Sequence, residues 1–224
     1  MFKAVFFDMD GLFLDSEPEW HQGETDLMRS LGYDWQESDQ RICLGGPLTR
    51  VAEYMSSCVE GRYSPEWFMA KIDEVMLDRL SKPVPTMPGA LEFSDLLHKE
   101  NIPLALVSAS PHKLVDAVFA GIERHNFSFS VAQGDIPRTK PFPDPYLHAA
   151  QKFDVDITDC LIFEDSNTGI AAAKASGAFV CAIPNFVDIQ EEPRLKVRRS
   201  FTELTMKDIH HFWALNLHEL DRSV

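Results

Sequence analysis

Val5-Phe6-Phe7-Asp8-Met9-Asp10-Gly11, close to the amino terminus, is an apolar run that ends abruptly in two carboxylates and a glycine. This pattern predicts a buried strand that delivers chemistry at its tip. In an open parallel sheet, ligands sit beyond the carboxyl ends of the strands, so polar residues placed just after apolar runs converge on one crevice. Gly11 lets the chain bend sharply after the strand. Asp8 and Asp10, one residue apart, would repel each other unless a cation or a shared proton held them.

Later segments repeat the pattern. Ile102 to Val107 is an apolar strand that ends in Ser108-Ala109-Ser110. Phe127 to Val131 is a further strand, Cys160 to Phe163 ends in Glu164-Asp165-Ser166, and Phe179 to Ile183 is a fifth. Helical segments alternate with them: Ala90 to Lys99 after Pro88-Gly89, Pro111 to Ile122, Pro145 to Phe153, and Gly169 to Ala175 with Gly177 as its stop. Alternation of this kind implies right-handed crossovers and a parallel sheet, so the fold class is α/β with a Rossmann-like core. Past Pro184 the pattern fades until Thr205-Met206-Lys207-Asp208, which resembles a capping box before a last helix.

Between Ser16 and Ser81 no segment has strand character. Trp20, Leu27, Met28 and Leu31 recur at helical spacing before Gly32. Leu48, Val51, Met55 and Val59 give a second helix, and Ser64-Pro65 opens a third that carries Trp67, Phe68, Ile72, Val75, Met76 and Leu80. Pro83, Pro85 and Pro88 then stiffen a link. The expected organisation is a catalytic core from residues 1–15 plus 82–224, interrupted by an all-helical domain over 16–81.

A chain of 224 residues can bury one good core and a smaller second unit. Its net charge of −14 argues against binding nucleic acid or an anionic membrane, either of which needs a basic surface to displace counterions. Cys43, Cys58, Cys160 and Cys181 lack metal-ligand spacing and are expected to be reduced, structural thiols. The opening stretch is too short for a signal peptide, and no apolar run reaches membrane-spanning length. A cytoplasmic monomer is the expectation.

Taken together, the strand tips carry the parts of a phosphoryl-transfer site. Asp8 can attack phosphorus as a carboxylate nucleophile, splitting one hard hydrolysis into two easier displacements. Asp10 can protonate the leaving alkoxide and later deprotonate water. Ser108, with Ala109 beside it, and Lys140 can bind the phosphoryl oxygens. Asp8, Glu164 and Asp165, with the backbone carbonyl of Asp10, offer the oxygen ligands that Mg²⁺ takes. Ser166, Asn167 and Gly169 begin a helix whose N–H groups can orient the acids or meet an anion. His210-His211 reads as a solvated pair.

Four motifs also carry a family resemblance. Asp8-Met9-Asp10-Gly11, Ser108-Ala109-Ser110, Lys140-Pro141-Phe142-Pro143-Asp144 and Glu164-Asp165-Ser166-Asn167-Thr168-Gly169 resemble, in order, the motifs of the haloacid dehalogenase superfamily. The likeness is to its branch of β-phosphoglucomutases and sugar-phosphate phosphatases. It implies Asp8 as nucleophile, Asp10 as acid and base, Ser108 and Lys140 as phosphate binders, Glu164 and Asp165 as magnesium-site acids, and the helical insert as a mobile cap. Leu12 stands where much of the superfamily has threonine. Trp20 stands where the mutase pattern has histidine, with His21 one place late, roughly 100° around the helix. Asp15-Ser16-Glu17-Pro18-Glu19-Trp20 instead resembles the opening of the phosphatase caps. Ser16, Trp20 and Arg50, which follows Gly45-Gly46, are candidate substrate contacts. The expected activity is Mg²⁺-dependent hydrolysis of small phosphorylated metabolites, sugar or polyol phosphates. A phosphosugar mutase is the alternative, and a non-catalytic binding protein a more distant one.

Overall fold

The computed structural model describes residues 1–43, 47–122 and 124–221. In chain order the elements are β1 (Ala4–Phe7), α1 (Glu17–Ser30), α2 (Glu37–Cys43), α3 (Leu48–Cys58), α4 (Pro65–Leu80), α5 (Ala90–Lys99), β2 (Leu104–Pro111) and α6 (His112–Gly121). There follow β3 (Phe129–Gln133), α7 (Asp144–Lys152), β4 (Cys160–Glu164), α8 (Asn167–Ser176), β5 (Phe179–Ala182), β6 (Leu195–Val197) and α9 (Met206–Asp221). Contacts along the chain separate two compact units. One holds residues 1–15, 85–112 and the chain from Arg124 onward; the other holds 16–84 and the segment that starts at Lys113.

The first unit is built on a six-stranded sheet of order β3-β2-β1-β4-β5-β6, parallel throughout. β1 lies in the middle, with Val5 in register with Leu104 on one side and Leu161 on the other. All four of its residues are inaccessible to solvent, which is why the segment reads as an unbroken apolar run and not as an alternating one. Phe6 faces Tyr146 and Phe153. Phe7, on the opposite face, meets Phe13, Phe127, Phe163 and Phe201. Strand order runs outward in both directions from β1, so its carboxyl end opens on the switch-point crevice where such sheets bind ligands.

Immediately past that tip the chain is tied to the segment that returns from the helical insert. The Asp15 N–H donates to the Pro85 carbonyl at 2.9 Å, and the Met87 N–H to the Phe13 carbonyl at 2.9 Å. The chain thus runs side by side at these two points as a short hydrogen-bonded pair.

Three elements differ from the sequence reading. β2 continues through Ser108 to Pro111, since its pairing with β3 shifts register after Val107 and resumes at Pro111. β6, only three residues with Lys196 at its centre, lacks the apolar run that marks the other strands. α2 is a seven-residue polar helix, ESDQRIC, too short to display a period. The segment from Lys113, read as part of the core, groups with the helical insert. Lys113 pairs there with Asp73 at 2.9 Å.

In the second unit α1 and α3 pack against α4, around Met28, Val51, Ala52, Met55, Phe68, Ile72, Met76 and Leu80. Arg79 of α4 bridges Glu19 and Asp26 of α1, each at 2.7 Å. Among the described residues no strand lies between 16 and 84, and no helix anywhere is long and apolar enough to cross a membrane.

One buried acid stands out in this unit. Glu24 of α1 is 4% exposed, and its Oε2 has no hydrogen-bond partner among the described residues. Burial pushes its pKa up to about 8, Glu17 adds to the shift, and a hydrogen bond from Gln40 opposes it. The folded protein therefore holds this proton more tightly than the unfolded chain. The resulting stabilisation is complete below the ordinary value of 4.5 and is lost as pH rises through about 8. Glu24→Gln should leave stability nearly unchanged at about pH 5 and raise it by on the order of a few kcal/mol at about pH 9. Urea midpoints of both proteins at the two pH values check this; an equal gap at both would contradict the buried proton.

Candidate active site

Three strand ends and one loop bring the site together. The Asp8 N–H donates to the Phe163 carbonyl at 3.1 Å, fixing the tip of β1 to β4. Glu164 is the last residue of β4 and is wholly buried. Lys140 comes from the loop ahead of α7, preceding a cis peptide bond to Pro141, and is 4% exposed. Its ammonium donates to Asp8 Oδ1 at 2.5 Å, Glu164 Oε1 at 2.6 Å and the Val107 carbonyl at 2.8 Å. Three acceptors match the three protons an ammonium carries.

The hydroxyl of Tyr146, on α7, donates to the same Glu164 oxygen, and the ring centroid lies 5.1 Å from the Lys140 ammonium. Glu164 Oε2 accepts the Asp165 N–H at 3.2 Å. Asp8, Glu164 and Asp165 each present a carboxylate oxygen within 4.8 Å of the others, and no other such acidic, histidine or cysteine grouping exists among the described residues. His210-His211 takes no part in one. The described cysteines are free thiols, and Cys43, Cys160 and Cys181 are buried.

The two serines of β2 are used differently. Ser108 Oγ accepts the Ser110 N–H at 2.9 Å, which leaves the Ser108 hydroxyl proton available to a ligand. Ser110 Oγ donates to Asp10 Oδ2, also at 2.9 Å. Ala109, between them, points to the solvent side. The structure thus gathers Asp8, Asp10, Ser108, Lys140, Glu164 and Asp165 in one unit.

Charge crowding shows at Asp8, Lys140 and Tyr146. Burial pushes Asp8 up to about 7; Lys140 works against that shift, and Glu164 and Asp10 add to it. Burial on its own would depress Lys140, but Asp8 and Glu164 outweigh it and hold the ammonium above its ordinary range. Tyr146 is raised by burial and by Glu164, so it stays a neutral donor.

Two glycines make room for the acids. Gly11 has φ +76°, and a Cβ there would stand 2.6 Å from Asp165 Oδ2. At Gly169, on the first turn of α8, a Cβ would overlap the Glu164 carboxylate itself. Ser166 caps that helix by accepting the Gly169 N–H at 3.1 Å.

The candidate substrate contacts belong to the other unit. Ser16 is buried just ahead of α1, Trp20 is half-buried on its first turn, and Arg50 is exposed on α3, donating to the Ile42 carbonyl at 3.0 Å. Gly45-Gly46 lies outside the described residues. Tyr146, and Ser110 as a partner of Asp10, are additions the sequence reading lacked. Ser110 had a signal, because residues two apart on a strand share a face. Tyr146 had none, being one aromatic in an amphipathic helix.

Known proteins resemble this chain in sequence and in fold. Residues 2–177 match the family model of haloacid dehalogenase-like hydrolases. Hexitol phosphatase B of Escherichia coli K12 is 31% identical over 214 residues, covering 92% of this chain and 96% of its own. Fructose-1-phosphate phosphatase YqaB of the same organism is 28% identical over 177 residues, 79% of this chain and 93% of its own. Among solved structures, a β-phosphoglucomutase from Clostridium difficile superposes with a TM-score of 0.81 at 18% identity, covering 96% of this chain and 98% of its own.

The Gly169 contact can be tested directly. Gly169→Ala should displace the Glu164 carboxylate and with it the Lys140 anchor, at a cost of about 1–3 kcal/mol in stability. Turnover should fall roughly a hundredfold or more, as misplacement of reacting groups does. Thermal unfolding and phosphate release on the purified variant measure the two effects; wild-type values in both would mean the carboxylate is not confined as described.

Proposed function

Because this chain belongs to the haloacid dehalogenase-like hydrolase family, we propose that it is a Mg²⁺-dependent phosphomonoester hydrolase working through an aspartyl phosphate on Asp8. The observation that carries the reading is the buried Lys140 ammonium held between Asp8 and Glu164, with Asp10 held by Ser110 from the next strand. In the first step an Asp8 oxygen attacks phosphorus, the bond to the ester oxygen breaks, and Asp10 gives its proton to the departing alkoxide. In the second, water attacks phosphorus as Asp10 takes a proton from it, and the bond to Asp8 breaks to release inorganic phosphate. Ser108 donates its hydroxyl to a phosphoryl oxygen, with the Ala109 backbone beside it, and Lys140 supplies positive charge.

The donor set suits the metal. Asp8, Glu164 and Asp165, with the Asp10 carbonyl, are hard oxygen ligands of the kind Mg²⁺ accepts, and the three carboxylates lie close enough together to share one ion. When bound, Mg²⁺ neutralises charge between these acids and the phosphoryl oxygens. Sugar or polyol phosphates are the proposed substrates, supported by the names of the two phosphatase relatives. The β-phosphoglucomutase likeness, at 18% identity, bears on the fold and carries no argument for mutase activity. The helical unit is proposed to act as a cap that excludes water and selects the alcohol, with Ser16, Trp20 and Arg50 as its substrate contacts.

Asp8→Asn is nearly isosteric but cannot attack as a carboxylate, so it should abolish phosphate release with the fold intact. The measurement is a phosphate-release screen over sugar, polyol and aryl phosphates with Mg²⁺, using Asp8→Asn as blank. A variant that retains a substantial share of wild-type turnover would sink the mechanism, as would full wild-type activity after verified metal removal. Trp20→Ala and Arg50→Ala should reorder the sugar and polyol phosphates by roughly ten- to a few-hundredfold, with little effect on an aryl phosphate. Ser108→Ala and Lys140→Ala should depress every substrate. The kcat/KM values of the four variants decide the matter, and uniform losses in the Trp20 and Arg50 variants would refute the division.

A further inference from the structure

We infer that Ser110 is a positioning residue for leaving-group protonation, acting through Asp10 and not through the phosphoryl group; this rests on the phosphatase reading above. Ser110 is 9% exposed and lies near the end of β2, where the pairing with β3 shifts register between Val107 and Pro111. Its N–H is fixed to Ser108 Oγ and its own hydroxyl to Asp10 Oδ2, both at 2.9 Å. Ser110 thus donates in both directions, through its backbone to Ser108 and through its side chain to the acid.

A carboxylic acid that protonates an alkoxide has one carbonyl-like oxygen and one that carries the proton. Ser110 donates to Oδ2 and so designates it as the acceptor oxygen, which places the transferable proton on Oδ1. After the first step the proton has gone to the alcohol and Asp10 is a carboxylate; Oδ2 still accepts from Ser110, and Oδ1 is the oxygen that takes a proton from water. The same hydrogen bond therefore serves both half-reactions without rearrangement. Without it the Asp10 carboxyl, which follows a strand tip and precedes Gly11, would lose this anchor and its proton would be less well directed.

A role through Asp10 makes a different prediction from a role in binding phosphate. The ratio kcat/KM reports steps up to the first irreversible one, here departure of the alcohol. A p-nitrophenolate departs without needing a proton, whereas an alkoxide does not. Ser110→Ala should therefore lower kcat/KM roughly ten- to a hundredfold for the alkyl phosphate hydrolysed fastest in the screen, with p-nitrophenyl phosphate changed by about threefold or less. Asp10→Ala should show the same asymmetry with a larger loss. Adding Ser110→Ala to Asp10→Ala should cost nothing more, and Ser110→Thr, which keeps the hydroxyl, should recover most of the alkyl ester rate.

Equal losses on both esters in Ser110→Ala, or a further loss in the double variant, would overturn the inference and make Ser110 a phosphate ligand or a packing residue. The asymmetry in Asp10→Ala but not in Ser110→Ala would overturn it while leaving the acid in place. Equal losses in Asp10→Ala would remove the acid role itself, and the inference with it. An active Asp8→Asn protein would refute the phosphatase reading by a separate signature.

Discussion

The Lys140 ammonium, sealed between Asp8 and Glu164, is the interaction on which the site depends. A charge in this environment is tolerated only when it is paired and its hydrogen-bonding capacity is filled, and Lys140 meets both conditions with two carboxylates and one backbone carbonyl. Removing the ammonium would leave two carboxylates uncompensated in the core. Such pairs add little net stability over apolar packing, so the arrangement is better understood as a means of holding reactive groups at fixed positions. Tyr146 completes it from below by donating to the oxygen that Lys140 already uses.

The fold prepares this pair at the backbone level. Asp8 and Glu164 stand at the ends of adjacent parallel strands, joined by the Asp8 N–H to Phe163 carbonyl bond, so their spacing is set by sheet register and not by side-chain search. Gly11 and Gly169 are then required for lack of space: in each case a Cβ would enter the volume of a carboxylate. Their positions explain why the acidic motifs are followed by small residues, Asp10-Gly11 after β1 and Asn167-Thr168-Gly169 after β4. Position 11 needs a positive φ as well as the space.

How much of this was legible in the sequence depended on length and burial. β1 and β4 are buried on both faces and end in acids, so their apolar runs and polar tips were plain, and the placement of Asp8, Glu164 and Asp165 followed from strand logic alone. β6 was hidden because three residues with a central lysine carry no pattern, and α2 because seven residues, five of them polar, do not complete two helical turns. The end of β2 was misplaced at Val107, since Ser108-Ala109-Ser110 has turn composition although the strand runs through it. The error had a consequence: read as a turn, those residues carry no facing rule, whereas on a strand Ser108 and Ser110 belong to one face, from which the Ser110 hydroxyl meets Asp10. Tyr146 could not be found, because nothing in a helical aromatic reveals that its hydroxyl meets a glutamate from another strand.

The charge inventory of the site sets the order in which its ligands can be accommodated. Asp8, Glu164 and Asp165 cluster, with Asp10 two residues from Asp8 and the Lys140 ammonium between Asp8 and Glu164, in a protein whose net charge is already −14. The crowding shows at Asp8, whose pKa burial, Glu164 and Asp10 push up while Lys140 opposes them. An incoming phosphate ester brings further negative charge into the same low-dielectric space, where like charges interact far more strongly than in water. Under the proposed function a divalent cation is therefore needed for substrate as well as for catalysis: it offsets the acids that would otherwise repel the ester. Metal affinity and substrate affinity must then rise together, because each ligand neutralises what opposes the other. The excess of acid in the site is what makes that coupling strong, and Lys140 alone, already committed to three acceptors, cannot replace it.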